Sequence, residues 1–110
     1  MKLRWLNVTA AAALTLGVSQ AMAADMPPLA ASSGCTACHA IDKKVVGPAW
    51  QDVSKKYKGH ADAKAALVAK VKAGGKGNWT EVTGGVPMPP YSPRVSDADI
   101  ATLVDFILGL

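Results

Sequence analysis

The chain has 110 residues, which is room for one domain at most, and its formal net charge is +4 at pH 7. Its lysines are scattered among Asp42, Asp52, Asp62 and Asp105, whereas binding to nucleic acid requires a basic patch. Length therefore excludes a second domain, and the charge pattern excludes a nucleic-acid-binding protein.

The first 23 residues have the features of a secretory signal peptide. Two positive charges precede an apolar stretch over residues 5–18, and Ala21 and Ala23 supply the small-residue pattern of a signal-peptidase site. The apolar stretch is too short for a membrane-spanning helix, which needs roughly 20 residues. We therefore expect residues 1–23 to be removed, with cleavage after Ala24 as the alternative.

Residues 24–110 remain after this cleavage as one exported domain, which we expect not to insert stably into a membrane. They carry ten basic and eight acidic side chains, a net charge of +2. A domain this small buries a modest core and usually needs a disulfide, a metal or a cofactor for stability. Because the aromatic side chains are few, an apolar cofactor would complete the core.

Proline and glycine delimit the first predicted helices. One follows Pro27–Pro28 and ends by Gly34, and a second runs from Gly47–Pro48 to Tyr57. A third runs from about residue 62 to residue 72, where two glycines stop it. Residues 74–93 then hold five glycines and four prolines, which is typical of a long structured loop with a functional role.

The last helix is the most clearly marked. Ser96 with Asp99 three residues later is the acidic variant of a capping box. The apolar residues behind this cap recur at helical spacing and predict one core-facing stripe: Ile100, Leu103, Val104, Ile107 and Leu108. The fold is predicted to be all-α, with four to five short helices around the loop and the cofactor.

The motif Cys35-Thr36-Ala37-Cys38-His39 predicts covalent attachment of one haem. Two cysteines three residues apart can both reach one edge of a porphyrin, and the adjacent histidine can then bind the iron. A structural disulfide is a weaker alternative, because two intervening residues make a tight and often reactive loop. A thioredoxin-like dithiol is also weaker, because no strands precede the motif. A zinc site needs four ligands. Beyond the two cysteines and His39, the only candidate is His60, which lies in a different segment of the chain.

The second axial ligand is predicted to be Met88. His60 lies in a polar connection that we expect to face solvent, and Met26 lies beside the new N-terminus, where we expect a loose side chain. Met88 is held among three prolines in the glycine-rich loop, although a methionine can also simply fill a gap in the core. A thioether ligand closes the sixth site and raises the potential, which favours an electron carrier over an enzyme.

The order of these motifs resembles the short bacterial class I cytochromes c of the cytochrome c-551 type. Five segments carry the resemblance, which covers nearly all of residues 34–110: Gly34–Asp42, Val46–Trp50, Trp79, Pro87–Pro90 and Val95–Asp97. The resemblance implies the class I fold, with haem in a cleft, and soluble periplasmic electron transfer in a respiratory chain.

The resemblance also implies roles for individual residues. It makes His39 and Met88 the axial ligands, and it matches Pro48 to the proline whose carbonyl accepts a hydrogen bond from the proximal histidine. It matches Trp79 to a tryptophan that contacts one haem propionate and places Lys70 near the other. The connection between Trp79 and Met88 is longer than in the shortest relatives, and Tyr91 stands where relatives often have asparagine.

The predicted partners are redox proteins, one donating and one accepting a single electron. Exposed lysines could steer docking to acidic partners: Lys43, Lys44, Lys55 and Lys56. We expect a monomer. The alternative function is a haem-based ligand-binding protein or a cytochrome subunit docked to one enzyme.

Overall fold

The domain is built from short helices. The computed structural model describes residues 24–110, and the predicted signal peptide lies outside them. Within 24–110 the chain forms five α-helices, one 3₁₀ turn and no β-strand, and the all-α prediction is confirmed. In chain order the elements are α1 (Pro28–Ser32), the 3₁₀ turn (Cys35–Ala37), α2 (Trp50–Tyr57), α3 (Ala63–Ala73), α4 (Thr80–Thr83) and α5 (Asp97–Leu108).

Helix α5 is the centre of the packing, since α1, α2 and α3 all contact it. Its cap is the predicted one: the Asp99 N–H donates to Ser96 Oγ over 3.1 Å, which satisfies one of the N–H groups left free at a helix start. The predicted apolar stripe faces the core, with Ile100 and Val104 fully buried. Burial of this stripe is the main force that holds the helices together.

Helix α1 ends as predicted. Ser33 caps it, and Gly34 follows with a φ of 85°, a left-handed conformation that glycine adopts without a steric penalty. The chain turns there and enters the 3₁₀ turn that carries Cys35.

Helix α2 begins two residues later than the sequence predicts. Gly47 and Pro48 do not join the helix because the chain from Gly47 to Trp50 bonds to the loop before it, and the Pro48 carbonyl accepts from His39. The Gly47 N–H donates to the Cys38 carbonyl over 2.8 Å, and the Trp50 N–H donates to the Ala40 carbonyl over 2.9 Å. The proline therefore lies just before the helix and not in its first turn.

The long loop contains one element that the sequence did not predict, the four-residue helix α4. The prediction for Met26 was also wrong, because its side chain is half-buried and packs against the core. Helix α3 ends at the predicted glycine, with Gly74 as its C-cap. No helix within residues 24–110 is both long and apolar enough to cross a membrane.

Candidate cofactor site

A largely apolar cavity lies among the 3₁₀ turn, helices α2, α3 and α5, and the loop that follows α3. Its apolar walls come from these side chains: Val46, Trp50, Val53, Tyr57, Leu67, Val71, Leu103 and Ile107. Every site residue that the sequence predicts lines this cavity: Cys35, Cys38, His39, Pro48, Lys70, Trp79 and Met88. His60 is exposed and is not among the lining residues.

The 3₁₀ turn places both cysteines at the cavity wall. The Cys38 and His39 N–H groups both donate to the Cys35 carbonyl, over 3.2 and 2.9 Å, so the motif folds back on itself within one tight turn. Cys35 is buried and Cys38 is half-buried. Burial raises the pKa of Cys35, so its sulfur is a neutral thiol at neutral pH.

The His39 ring is neutral and held in one tautomer. Its Nδ1–H donates to the Pro48 carbonyl over 2.8 Å, which leaves the lone pair of Nε2 free to bind a metal. Burial lowers the pKa of His39 and outweighs the hydrogen bond to Pro48, which raises it. The ring also packs against Trp50, with ring centroids 5.9 Å apart.

Gly47 gives the His39 ring its space, a role that the sequence analysis missed. A Cβ at Gly47 would lie 2.5 Å from His39 Cε1 and 3.0 Å from each ring nitrogen. Real Cβ atoms do not approach other atoms so closely, so a side chain at this position would displace the ring. In the sequence, the glycine beside Pro48 indicates a helix start, and its contact with His39 becomes visible only in the fold.

Met88 is half-buried and is held by its backbone on both sides. The Gly75 N–H donates to the Met88 carbonyl over 2.8 Å, and the Met88 N–H donates to the Gly75 carbonyl over 3.0 Å. Together with the flanking prolines, this pair of hydrogen bonds fixes the segment from which the thioether projects.

Trp79 and Lys70 bring polar groups to the same cavity. Trp79 is half-buried at the start of α4, and the Lys56 Nζ lies 4.8 Å from the centroid of its ring. Lys70, in the last turn of α3, bends over the glycine-rich loop, with its Nζ 3.6 Å from the point where a Gly75 Cβ would lie. The contact between Lys56 and Trp79 was not predicted, because their separation in the sequence carries no periodic signal.

Tyr91 forms another part of the wall. It is buried, its N–H donates to the Val71 carbonyl over 3.1 Å, and the Arg94 guanidinium lies 4.9 Å from its ring centroid. Burial raises the pKa of Tyr91, so the phenol is neutral. Tyr91, one of the few aromatic residues expected in the core, is thus a core residue of the cavity as well as a departure from related proteins.

The lining suits a metal porphyrin. The cavity has apolar walls and is surrounded by a neutral imidazole, a thioether sulfur and two thiols. The absence of a side chain at Gly47 leaves the space that the imidazole occupies. Residues 24–110 contain no cluster of three or more His, Cys, Asp or Glu side chains that could hold a metal ion unaided. The donors present therefore fit a haem, which brings four nitrogen ligands of its own.

Comparison with known proteins agrees with this assignment. The family model described as cytochrome c matches residues 22–110. Cytochrome c-551 of Allochromatium vinosum is 56% identical over 82 residues, which are 74% of this chain and 82% of that protein. Cytochrome c-552 of Nitrosomonas europaea is 45% identical over 111 residues, covering 100% of this chain and 99% of that protein.

Solved structures give the same result for the fold. The crystal structure of wild-type Nitrosomonas europaea cytochrome c552 superposes with a TM-score of 0.67 at 46% identity, covering 74% of this chain and 95% of that one. The class 1 cytochrome MtoD from Sideroxydans lithotrophicus gives a TM-score of 0.60 at 33% identity, covering 74% and 87%. The predicted class I fold and the predicted covalent haem c are confirmed. The chain belongs to the cytochrome c family, and its relatives include cytochromes c-551 and c-552.

Proposed function

We propose that this chain is a soluble periplasmic carrier of single electrons, with His39 and Met88 as the axial ligands of its haem iron. The observation that carries the proposal is the convergence of these two side chains and both cysteines on one apolar cavity. His39 and Met88 lie 49 positions apart in the sequence, so only the fold brings them together.

Each predicted site residue has one task in this proposal. Cys35 and Cys38 hold the porphyrin through thioether bonds, and Pro48 keeps His39 Nε2 directed at the metal by accepting from Nδ1–H. Trp79 and Lys70 supply N–H donors for the propionates. When bound, haem supplies a one-electron iron couple, and His/Met ligation raises its potential.

The protein favours simple electron transfer over chemistry at the metal. The Met88 thioether would occupy the remaining position on the haem iron, and the apolar lining would limit the access of water. Val46 and Val86 both line the cavity and are 39% and 52% exposed. This exposed apolar edge is where a redox partner can approach closely enough for outer-sphere transfer.

Export and docking complete the proposal. Residues 1–23 direct the chain to the periplasm, where the monomer meets its donor and acceptor proteins and binds no nucleic acid. The lysines expected to steer docking are all exposed: Lys43, Lys44, Lys55 and Lys56. The names of the relatives, cytochromes c-551 and c-552, support electron transfer as the role.

The test is the visible spectrum of the exported protein, oxidised and reduced, with and without carbon monoxide. We expect sharp c-type bands on reduction, a long-wavelength sulfur–iron band on oxidation, and no response to carbon monoxide. Met88→Leu should lose the long-wavelength band and bind carbon monoxide, whereas Met26→Leu, which changes the other methionine of the domain, should do neither. If the unaltered protein binds carbon monoxide readily, the ligand-binding or enzyme-associated alternative is correct.

A further inference from the structure

The end of α3 and residues 88–92, here called the methionine segment, are joined by several backbone hydrogen bonds. Gly75 and Met88 exchange two, over 2.8 and 3.0 Å. Further along the same segment, the Tyr91 N–H donates to the Val71 carbonyl over 3.1 Å, and the Ser92 N–H donates to the Lys72 carbonyl over 3.3 Å. Four hydrogen bonds thus connect the methionine segment to one helix end.

These bonds occupy carbonyls that a helix leaves without partners. The last four carbonyls of an α-helix lack an intrahelical donor and must be satisfied from outside. In α3, the Lys70 carbonyl accepts from the Gly74 N–H over 2.7 Å, and the next two carbonyls accept from the methionine segment. Since α3 is packed against α5, the position of the Met88 backbone is set by the helical core.

This close approach depends on Gly74. A Cβ at Gly74 would collide with the Met88 carbonyl oxygen and would lie 2.8 Å from both the Pro89 carbonyl carbon and the Pro90 nitrogen. All three are backbone atoms, so no side-chain rotation can relieve the collision. Ordinary contact between carbon atoms begins near 3.5 Å, so the segment would have to shift by ~1 Å.

The backbone of this pair is also one that other residues avoid. Gly74 has φ 70° and ψ −162°, and Gly75 has φ 117°, which are conformations that glycine adopts almost exclusively. In the sequence, these two glycines indicate only the end of α3. In the structure they end the helix and also allow the methionine segment to approach it closely.

We propose that Gly74 and Gly75 are positioning residues for Met88. They let the end of α3 and the Met88 backbone approach within hydrogen-bonding distance, and they thereby fix the sulfur relative to His39. This inference rests on the proposed role of Met88 as an axial ligand. A side chain at Gly74 moves residues 88–90 away from α3, so it weakens the sulfur–iron bond while leaving the attachment through Cys35 and Cys38 in place.

Two other glycines are matched controls, because they share the positive φ without the contact. Gly84 has φ 66° and lies in the loop between Trp79 and Met88, and Gly59 has φ 83°. A Cβ at either position would meet nothing within 4 Å. Alanine at Gly84, with ψ 19°, introduces mild left-handed strain alone, whereas Gly74→Ala combines a costlier backbone conformation with a collision with the methionine segment.

The experiment compares Gly74→Ala, Gly84→Ala and Gly59→Ala as haem-loaded proteins. The readouts are the long-wavelength band of the oxidised form and the rate of carbon monoxide binding to the reduced form. Gly74→Ala should weaken the band and bind carbon monoxide at least about tenfold faster, the change expected if the methionine bond weakens by ~1.4 kcal/mol. Both controls should keep the band. The inference is wrong if Gly74→Ala behaves like the controls, or if the controls lose the band equally.

Gly75→Ala provides the test if Gly74→Ala does not accumulate. Its Cβ would meet only Lys70 Nζ, at the ordinary distance of 3.6 Å, but its φ strains the residue bonded to Met88. On heating, its long-wavelength band should vanish before the helices melt, while Gly59→Ala should lose both together. Loss of the band only at global unfolding in Gly75→Ala would overturn the inference.

The two proposals fail in different ways. An unaltered protein without the long-wavelength band contradicts the role of Met88 and therefore the proposed function. An unaltered protein with that band, together with a normal band in Gly74→Ala, contradicts the positioning role alone.

Discussion

Lys56 in α2 lies over the indole ring of Trp79, with its Nζ 4.8 Å from the ring centroid. Trp79 lines the cofactor cavity, so this contact brings a positive charge to the cavity edge. A cation–π contact at an exposed site contributes ~0.5–1 kcal/mol. Lys56 therefore supports a residue that we propose contacts the cofactor, in addition to the steering role expected of a surface lysine.

Removal of this charge should lower the midpoint potential, because a nearby positive charge disfavours oxidised iron. One unit charge acting over ~10 Å in a mostly aqueous medium contributes ~0.5 kcal/mol, or ~20 mV for one electron. We expect Lys56→Gln to lower the potential by about this amount in a redox titration at low salt. Lys55→Gln removes the neighbouring exposed charge and should shift it less; equal shifts would mean that the contact with Trp79 has no special effect.

Gly47→Ala should disturb the His39 ring. A Cβ there would lie 2.5 Å from Cε1, so the ring must move and its hydrogen bond to Pro48 must weaken. Overpacking of this kind costs ~1–3 kcal/mol. We expect a lower free energy of unfolding of the haem-loaded protein and shifted NMR resonances of the His39 ring.

Gly109→Ala is the control for that variant. A Cβ at Gly109 would lie 3.4 Å from its nearest neighbour, so the substitution should leave the His39 resonances and the unfolding curve close to those of the unaltered protein. Unchanged resonances in Gly47→Ala would show that the ring does not depend on this space.

The features that sequence could predict are those set by neighbours in the chain. The cap of α5 follows from Ser96 and the residue three positions later, and the haem motif occupies five consecutive residues. Helix periodicity likewise identified which face of α5 is buried. Each signal depends on local geometry, so the tertiary structure did not alter it.

The features that sequence missed depend on contacts between distant segments. The resemblance implied the hydrogen bond from His39 to the Pro48 carbonyl, but no local pattern shows that Pro48 lies before α2 and not in its first turn. The bridge between Gly75 and Met88 joins residues whose pairing becomes visible only after the loop folds back on α3. A glycine that ends a helix and a glycine that makes room for another segment look alike in one sequence.

The stability of the domain should depend on α5. Ile100 is fully buried, and Ile100→Val should lower the free energy of unfolding by ~1 kcal/mol, the usual cost of removing a buried methylene group. Ser96→Ala removes the cap hydrogen bond and should cost a similar ~1 kcal/mol. Denaturant titration of the haem-loaded protein measures both.

Val45→Ala is the comparison for the Ile100 variant. Val45 is 45% exposed, so its truncation should change the free energy of unfolding by less than ~0.5 kcal/mol. A cost at Val45 as large as that at Ile100 would contradict the assignment of α5 as the main source of core stability.

Electron transfer with charged reagents should depend on the lysines beside the exposed apolar edge. Lys43 and Lys44 are exposed and come directly before Val45 and Val46, and Val46 lines the cavity. Reversing both charges should slow oxidation of the reduced protein by an anionic iron–cyanide complex by about tenfold at low salt. Oxidation by a cationic cobalt complex should become faster, since the sign of the local potential is reversed.

The control for this charge reversal lies on a different helix. Lys64 in α3 pairs with Asp105 in α5 over 3.0 Å, with both side chains more than half exposed, and such pairs contribute little to stability. Stopped-flow measures the oxidation of Lys64→Glu and of the double variant Lys43→Glu/Lys44→Glu from low to high ionic strength. The double variant should show the large decrease in the rate of oxidation by the anionic reagent, and this decrease should become smaller as salt screens the charges. If Lys64→Glu slows the anionic reagent as much, overall charge governs the rate, and Lys43 and Lys44 do not mark the site of electron exchange.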